Sequence, residues 1–318
     1  MRMWSRTAIV AACALMISAA QAFAYGVTIR RNVQFAEHDG VKLYGDLYHP
    51  VARERHHLPV VPVVIAVHGG GWRSGTRATY ERWGRYLAEA GFAVFAIDYR
   101  LAKSDQKTYP AAVYDVRAAV QFVRAEASSL AIQPDQIALM GDGAGAHLAT
   151  LVTLANGEPQ FSGQYKDDSN AGTPATVKAA VVFYGIYDLA AQWRHDQIAR
   201  PLDQVTAQFL GGQPMTNRQL YFEASPISYA TVDKNKPDFL IIYGTSDEVV
   251  DAGQQSQAFE TALRQAQFPA QRIEIPSVGH YWVPDPFSDP RSPNKYVAPR
   301  LLRFLEKSLQ GGASAPPS

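Results

Sequence analysis

The strongest constraint in this sequence is a short glycine-rich turn between an apolar run and an apolar helical pattern. The turn reads GDGAG at 141–145, with the apolar run 137–140 before it and the helical pattern 148–154 after it. Gly141 and Gly145 occupy the two small positions of the G-x-S-x-G motif, in which a strand turns sharply into a helix. Small residues are needed because strand and helix approach closely there. The stretch therefore predicts a strand, a tight turn and a helix.

The central position of this turn carries Gly143, whereas the motif places a nucleophilic serine there. A glycine has no side chain, and therefore no atom that attacks a carbonyl carbon. Taking Asp142 as the nucleophile shifts the motif by one residue and puts Met140 where a small residue is needed. Glycine accepts the strained backbone of such a turn more readily than a residue with a Cβ. We therefore expect the turn to form without a nucleophile.

The rest of the chain alternates between strand-like runs and segments with helical spacing. The apolar run 60–67 is typical of a strand buried on both faces of a parallel sheet, and we expect that strand to begin after Pro62. The segments 27–35 and 41–48 predict an N-terminal antiparallel hairpin. The segment 190–229 lacks a strand pattern and is expected to be a helical excursion. This alternation predicts an α/β fold with a mostly parallel central sheet flanked by helices.

The composition limits what such a domain binds. The chain has 318 residues, of which 47% are hydrophobic, and a formal net charge of +1. A nearly neutral chain has no broad electrostatic attraction to nucleic acid, and one α/β domain over 25–310 accounts for the length. The sequence lacks spacings typical of metal ligand sets, and the turn at 141–145 is too short for a dinucleotide fingerprint. We therefore expect no metal and no cofactor.

The N-terminus has the pattern of an export signal. Arg2 and Arg6 precede an apolar run at 8–20, and small-x-small cleavage sites follow that run. The pattern predicts a signal peptide over 1–24 and a periplasmic or secreted mature protein without a stable membrane anchor. Cys13 is the only cysteine, so the mature chain is expected to have no disulfide. The Gly/Ala/Pro/Ser tail at 311–318 is expected to be disordered.

Three further motifs follow predicted strands, at the sheet edge where ligands bind in such folds. HGGGW at 68–72 follows the first buried run, GTSD at 244–247 follows a late strand, and VGH at 278–280 follows the last strand. With the turn at 141–145, these motifs stand in a specific order. In that order the sequence resembles the carboxylesterases of the hormone-sensitive-lipase-like group of α/β-hydrolases, over about residues 41–309.

The resemblance implies an α/β-hydrolase fold and assigns roles to the matching positions. Gly143 takes the place of the nucleophile and His280 that of the catalytic base. Asp247 takes that of the acid that holds the His280 tautomer, with Glu248 and Asp251 as neighbouring alternatives. His68 is expected to be a structural residue of its turn and Asp142 a structural neighbour of Gly143. The backbone N–H groups that form an oxyanion hole are implied at Gly69, Gly70, Gly71 and Ala144.

Aromatic side chains near these motifs are candidates for lining a substrate pocket, with packing in the core or at its rim as the alternative. These aromatic residues are Trp72, Tyr184, Tyr187, Tyr281 and Trp282. The resemblance implies a small or medium carboxylic ester as the substrate, such as an acylated sugar or an aromatic ester. No other partner is implied, and the sequence does not indicate an oligomeric state.

The missing nucleophile leaves the activity open. Serine-esterase activity is expected to be absent or strongly impaired, because Gly143 replaces the serine that attacks the ester. One alternative is a lyase or isomerase that uses His280 as a general base and the oxyanion hole to hold an enolate or alkoxide. The other is a protein that binds ligands in the same pocket without turnover.

Overall fold

The structure is a computed structural model that describes residues 25–52, 58–232 and 236–311. The predicted signal peptide, 1–24, and most of the predicted tail, 312–318, lie outside the described residues. Eight strands and nine α-helices are formed by the described ranges.

The strands are β1 Tyr25–His38, β2 Val41–Ala52, β3 Val61–Val67, β4 Ala93–Ile97, β5 Ile132–Asp142, β6 Ala179–Phe183, β7 Asp238–Gly244 and β8 Ala270–Ile275. The α-helices are α1 Glu81–Glu89, α2 Ala111–Ala125, α3 Ala144–Leu154, α4 Pro159–Ser162, α5 Leu189–Ala199, α6 Val205–Leu210, α7 Arg218–Ala224, α8 Ala258–Gln265 and α9 Pro293–Gln310. Short 3-10 turns lie at Arg77–Tyr80 and Pro226–Tyr229, and a π-helical turn at Gly253–Gln257 precedes α8.

All eight strands belong to one sheet, in the order β1-β2-β4-β3-β5-β6-β7-β8. β1 pairs with β2, and β2 pairs with β4, in antiparallel direction, while the other neighbouring pairs are parallel. The predicted α/β-hydrolase architecture with an N-terminal antiparallel hairpin is thereby confirmed. Because the parallel strands run in one direction, their carboxyl ends meet at one edge, where the loops after β3, β5, β7 and β8 come together.

The central strands are buried on both faces, as their continuous apolar runs predict. All seven residues of β3 are buried, and their side chains alternate between two core clusters. Val63 and Ile65 pack in the cluster formed with α2 and α3, and Val64 packs in the cluster formed with α1 and α9. Each fully buried side chain of this kind contributes about 1.5–3 kcal/mol. This packing gives the loops at the carboxyl edge a rigid support.

The start of β3 differs from the prediction. β3 begins at Val61, so the expectation that the strand starts after Pro62 is wrong. Pairing with β4 begins only at Val63, and the register with β5 shifts between Val61 and Val63. Pro62 therefore has no partner in either register, and its missing N–H costs no ladder hydrogen bond.

The segment between β6 and β7 is helical, as predicted. It contains α5, α6, α7 and the 3-10 turn Pro226–Tyr229. Val205, at the start of α6, lies close to Gly71 of the loop after β3, because a Cβ on Gly71 would be 3.3 Å from Val205 Cγ1. The excursion therefore covers the carboxyl edge of the sheet. Among the helices of the described ranges, none is both long and apolar enough to cross a membrane.

Candidate active site

The turn between β5 and α3 has the backbone conformation that the sequence predicts. Gly143 lies between them with φ +50° and ψ −113°, in a region where residues with a Cβ are strained. A Cβ on Gly145 would overlap the carbonyl oxygens of Val67 and His68, and one on Gly141 would overlap the Gly145 carbonyl. The two outer glycines are therefore required by close backbone approach, whereas Gly143 is favoured by its dihedral angles.

The loops after β7 and β8 bring an aspartate and a histidine together in front of this turn. His280 Nδ1 lies 2.7 Å from Asp247 Oδ2, and both side chains are buried. The other carboxylate oxygen, Asp247 Oδ1, accepts the N–H groups of Val249 and Val250, at 2.9 Å each. Those bonds fix the carboxylate, and the carboxylate in turn orients the imidazole. The pair sits where the sequence predicts the acid and the base.

The free nitrogen of the imidazole faces the position where a nucleophile would be. If Gly143 carried a Cβ, its nearest neighbour would be His280 Nε2 at 3.4 Å, with Tyr184 Cδ2 at 4.0 Å. A hydroxyl on that Cβ would lie within hydrogen-bond reach of Nε2. The geometry of a serine–histidine–aspartate triad is thus present without the serine side chain.

The glycine loop after β3 supplies backbone donors, but its first glycine has a different role from the predicted one. The Gly69 N–H donates to Asp142 Oδ1 at 2.9 Å, so it is not free to hold an oxyanion. Gly70 and Gly71 have φ of +105° and +61°. Within the described ranges, the N–H groups of Gly70, Gly71 and Ala144 have no protein acceptor. Ala144 begins α3, where the first N–H groups of a helix lack intrahelical partners.

Asp142 connects the glycine loop to the turn from a buried position. Its Oδ1 accepts the Tyr80 hydroxyl at 3.0 Å as well as the Gly69 N–H, and its Oδ2 lies 3.5 Å from the Tyr184 hydroxyl. Burial raises the pKa of Asp142 to about 6, although the hydrogen bonds and the nearby His280 act in the opposite direction. The residue is therefore a structural neighbour of the turn, as predicted.

His68 is also structural. Its Nδ1 lies 2.8 Å from the Gly69 carbonyl oxygen, and its ring stacks on Tyr99 with centroids 4.4 Å apart. Burial lowers the pKa of His68, which keeps the ring neutral. A neutral, buried ring beneath the glycine loop is not placed to act as the base.

Three of the five predicted pocket aromatics lie at the site. Trp72 and Tyr281 line the cavity in front of Gly143. Trp72 is fully buried and Tyr281 is 60% exposed, so they form its floor and its rim. Tyr184 packs against His280, with ring centroids 4.2 Å apart.

The other two predicted aromatics belong to the core. Tyr187 stacks on Phe259 with centroids 4.1 Å apart and is fully buried. Trp282 is 4% exposed and packs edge-on against Phe183. Both side chains fill space beneath the loops that carry them, so they pack in the core and do not line the cavity.

The cavity in front of Gly143 is small, about 130 Å³. Besides the predicted residues, its lining contains Ile186, Val205, Val249, Val250, Arg200 and Asp203. Asp203 pairs with Arg73 of the glycine loop at 2.7 Å and thereby joins the helical excursion to the oxyanion side of the cavity. No sequence motif marks these lining residues, since their positions depend on how the helical excursion and the loops after β6 and β7 fold over the sheet.

The described ranges contain no group of three or more His, Cys, Asp or Glu side chains placed to hold a metal ion. The site combines one carboxylate–imidazole pair, free backbone N–H groups, apolar side chains and the charged side chains of Arg200 and Asp203. This arrangement suits acyl chemistry, in which a base moves a proton and the N–H groups stabilise a developing oxyanion.

Comparison with known proteins shows which family the chain matches. A family model described as BD-FAE matches residues 46–263. The probable carboxylic ester hydrolase LipM of Mycobacterium tuberculosis is 33% identical over 224 residues, which cover 69% of this chain and 49% of LipM. The chain thus spans about half the length of the curated relatives that it matches.

Solved esterase structures share the fold. The bifunctional GH43-CE protein of Bacteroides eggerthii superposes with a TM-score of 0.70 and 26% identity, over 88% of this chain and 38% of that one. The thermophilic esterase Est2 of Thermogutta terrifontis superposes with a TM-score of 0.67 and 20% identity, over 93% and 95% of the two chains.

Proposed function

Because the chain belongs to the BD-FAE family and to the hormone-sensitive-lipase-like α/β-hydrolases, we propose that it has the framework of a carboxylic ester hydrolase whose serine route is disabled at Gly143. The observation that carries the proposal is the Asp247–His280 pair at 2.7 Å, with its free nitrogen facing Gly143. A histidine held in this way is the base of acyl-transfer enzymes.

The remaining parts of the framework have definite tasks. Asp247 keeps the proton of the imidazole on Nδ1, so that Nε2 accepts a proton from the attacking group. Gly71 and Ala144 line the cavity and have N–H groups without a protein acceptor in the described ranges, and these are the proposed donors to the carbonyl oxygen that becomes negative. Each such donor is worth about 2.7–4 kcal/mol in the transition state.

The size of the cavity supports esters of short acyl groups as the substrate class. Its volume of about 130 Å³ lies well below the roughly 300–1,000 Å³ of pockets that enclose a drug-sized ligand. Ile186, Val205 and Val250 form apolar walls close to the base. We therefore propose acetyl and similarly short acyl groups, with the alcohol part of the ester reaching out past the exposed Tyr281.

The test is to restore the missing side chain. Loss of the serine in triad enzymes costs roughly 10⁶-fold in turnover, so Gly143→Ser is expected to raise p-nitrophenyl acetate hydrolysis by several orders of magnitude. The double variant with His280→Ala is the control, and it should lose that gain. If the serine variant stays inert towards short acyl esters, the proposed function is wrong.

The two alternatives have no observation of their own within the described residues. A lyase or isomerase would use the same His280, and a binding protein would use the same cavity. The lyase or isomerase predicts an activity that His280→Ala abolishes and Gly143→Ser does not improve. The binding protein predicts a ligand whose binding persists after His280→Ala.

We also propose that the protein is exported and acts outside the cytoplasm. The support is Arg2 and Arg6 followed by the apolar run 8–20 and small-x-small cleavage sites. Expression of the full chain followed by cell fractionation and N-terminal sequencing tests this. Recovery of the uncleaved chain in the cytoplasm would contradict it.

A further inference from the structure

We propose that the protein with Gly143 hydrolyses activated esters by direct attack of water, which His280 deprotonates without any covalent acyl intermediate. This inference rests on the proposed function, because it uses the same cavity, base and oxyanion donors. It goes further in assigning an activity to the chain as it stands, rather than to a repaired variant.

The first support is the space beside the base. A Cβ at position 143 would have His280 Nε2 at 3.4 Å as its nearest neighbour, and the next atoms lie at 3.9 and 4.0 Å. A reacting water needs about the room of a serine hydroxyl group. Glycine therefore lets a water approach Nε2 at the place from which a serine would attack.

The second support is the orientation of the base. The Asp247 carboxylate accepts the Nδ1–H of His280 at 2.7 Å and is itself fixed by the N–H groups of Val249 and Val250. Nε2 is thereby left as an acceptor that faces Gly143. None of these hydrogen bonds involves the residue at the turn, so the base keeps its position without a serine.

The third support is the presence of free backbone N–H donors among the residues that line the same cavity. The Gly71 N–H and the Ala144 N–H line the cavity and have no acceptor within the described ranges. Because His280 lines this cavity too, an ester carbonyl whose oxygen accepts from these donors would share the cavity with the water at His280. Water, base and oxyanion donors therefore meet at one carbonyl group.

The reaction proceeds in two balanced steps. The water oxygen bonds to the ester carbonyl carbon, its proton passes to His280 Nε2, and the carbonyl electron pair moves to the oxygen held by Gly71 and Ala144. The carbonyl then re-forms, the bond to the leaving oxygen breaks, and His280 returns its proton to that oxygen. The products are a carboxylic acid and an alcohol, and His280 is neutral again.

This route favours esters with good leaving groups. A free water is not tethered to the protein as a serine is, so the step loses part of the advantage of an oriented nucleophile. Aryl esters compensate because the phenolate leaves easily. We therefore expect measurable turnover with aryl acetates and little with alkyl acetates.

The experiment compares Gly143→Ala, Gly143→Ser and His280→Ala with the unchanged protein on p-nitrophenyl acetate. The unchanged protein should exceed His280→Ala by about 10²–10⁴-fold, the usual effect of a general base. Gly143→Ala should fall to the level of His280→Ala, because its methyl group occupies the place of the water. Gly143→Ser has the same Cβ and the same backbone strain, so its gain in activity shows that the alanine variant fails for chemical reasons.

The organophosphate paraoxon distinguishes the two routes. It should inactivate Gly143→Ser with a covalent mass increase and leave the unchanged protein active. An inert unchanged protein beside an active serine variant would overturn direct water attack and leave the proposed function intact. Activity that paraoxon abolishes in the unchanged protein, or that Gly143→Ala retains, would also overturn it. If the unchanged protein and the serine variant are both inert, the proposed function itself fails.

Discussion

Replacing Asp142 by asparagine should change how the stability of the protein depends on pH. Asp142 is 6% exposed, and burial raises the pKa of its carboxyl from 3.8 to about 6. Asparagine has nearly the same shape and keeps one carbonyl oxygen to accept from Gly69 and Tyr80. It differs mainly in never being ionised, so the comparison isolates the free energy of burying this charge.

The direction in which stability changes with pH follows from proton binding in the folded and unfolded states. Between about pH 4 and pH 6 the folded protein holds the Asp142 proton more tightly than the unfolded chain, so the free energy of unfolding falls as the pH rises. Each tenfold change in proton affinity is worth about 1.4 kcal/mol, and the change from 3.8 to about 6 therefore corresponds to about 3 kcal/mol. The asparagine side chain of the Asp142→Asn variant does not titrate, so it contributes no such fall.

The measurement is urea unfolding of both proteins at a series of pH values, followed by tryptophan fluorescence. Titrating groups that do not interact with Asp142 affect both proteins equally and cancel in the difference. Relative to Asp142→Asn, the unchanged protein should lose about 2 kcal/mol of unfolding free energy between about pH 4 and pH 7, because part of the full change occurs below pH 4. Asp105→Asn, at an exposed position, controls for the loss of one negative charge. A constant difference across this range, or a difference of the opposite sign, would refute the reasoning.

Three further predictions concern other parts of the molecule. Burial lowers the pKa of His38, but hydrogen bonds to Asp115 and Asp168 outweigh it and raise the pKa above 6.5. The stability that His38 adds should therefore be complete below pH 6.5 and disappear as the pH rises further. Urea unfolding of His38→Asn beside the unchanged protein would detect this loss. Gly145→Ala should destabilise by about 3 kcal/mol, because its Cβ would overlap backbone carbonyl oxygens that cannot move freely; unchanged thermal unfolding would contradict this. In the Gly143→Ser background, Val205→Ala should raise activity on p-nitrophenyl hexanoate about tenfold relative to the acetate, since it widens an apolar wall of the cavity; an unchanged ratio of the two rates would show that Val205 does not limit the acyl group.

The parts of the site that follow strand ends could be predicted from the sequence. The turn around Gly143, and Asp247 and His280 in the late loops, belong to short motifs that each follow a strand with a clear apolar run. Because parallel strands place their carboxyl ends at one edge, the order of the motifs is enough to bring these residues together. The distances between these residues are known only from the structure, whereas the order of the motifs already predicts that the residues lie close together.

The parts that depend on side-chain direction could not be predicted. Gly69 lies within the glycine motif, and only the orientation of Asp142, 73 residues away, shows that its N–H is already used. Tyr187 and Trp282 are as close in sequence to the motifs as Tyr281, yet they turn into the core. No local pattern distinguishes these cases, because packing from the far side of each loop decides them.

The residues that form the cavity walls could not be predicted from the sequence either. Val205 lies in a helix of only six residues, in a segment whose apolar residues follow no regular period. Ile186 and Val250 lie in loops, where burial is set by what covers them. Without such a period, the sequence predicts that this segment contains helices but not where they lie over the site.

The hydrogen bonds that fix the glycine loop and the base do not involve a side chain at position 143. Asp142 fixes the glycine loop through Gly69, and Asp247 fixes His280, while Gly143 itself contributes only its backbone. A serine there would occupy a conformation at φ +50° that costs residues with a Cβ about 1–3 kcal/mol. The glycine therefore relieves strain while leaving the base and the free N–H groups where they are. This independence supports both proposals, namely that one residue removes the covalent route and that the remaining groups act on water.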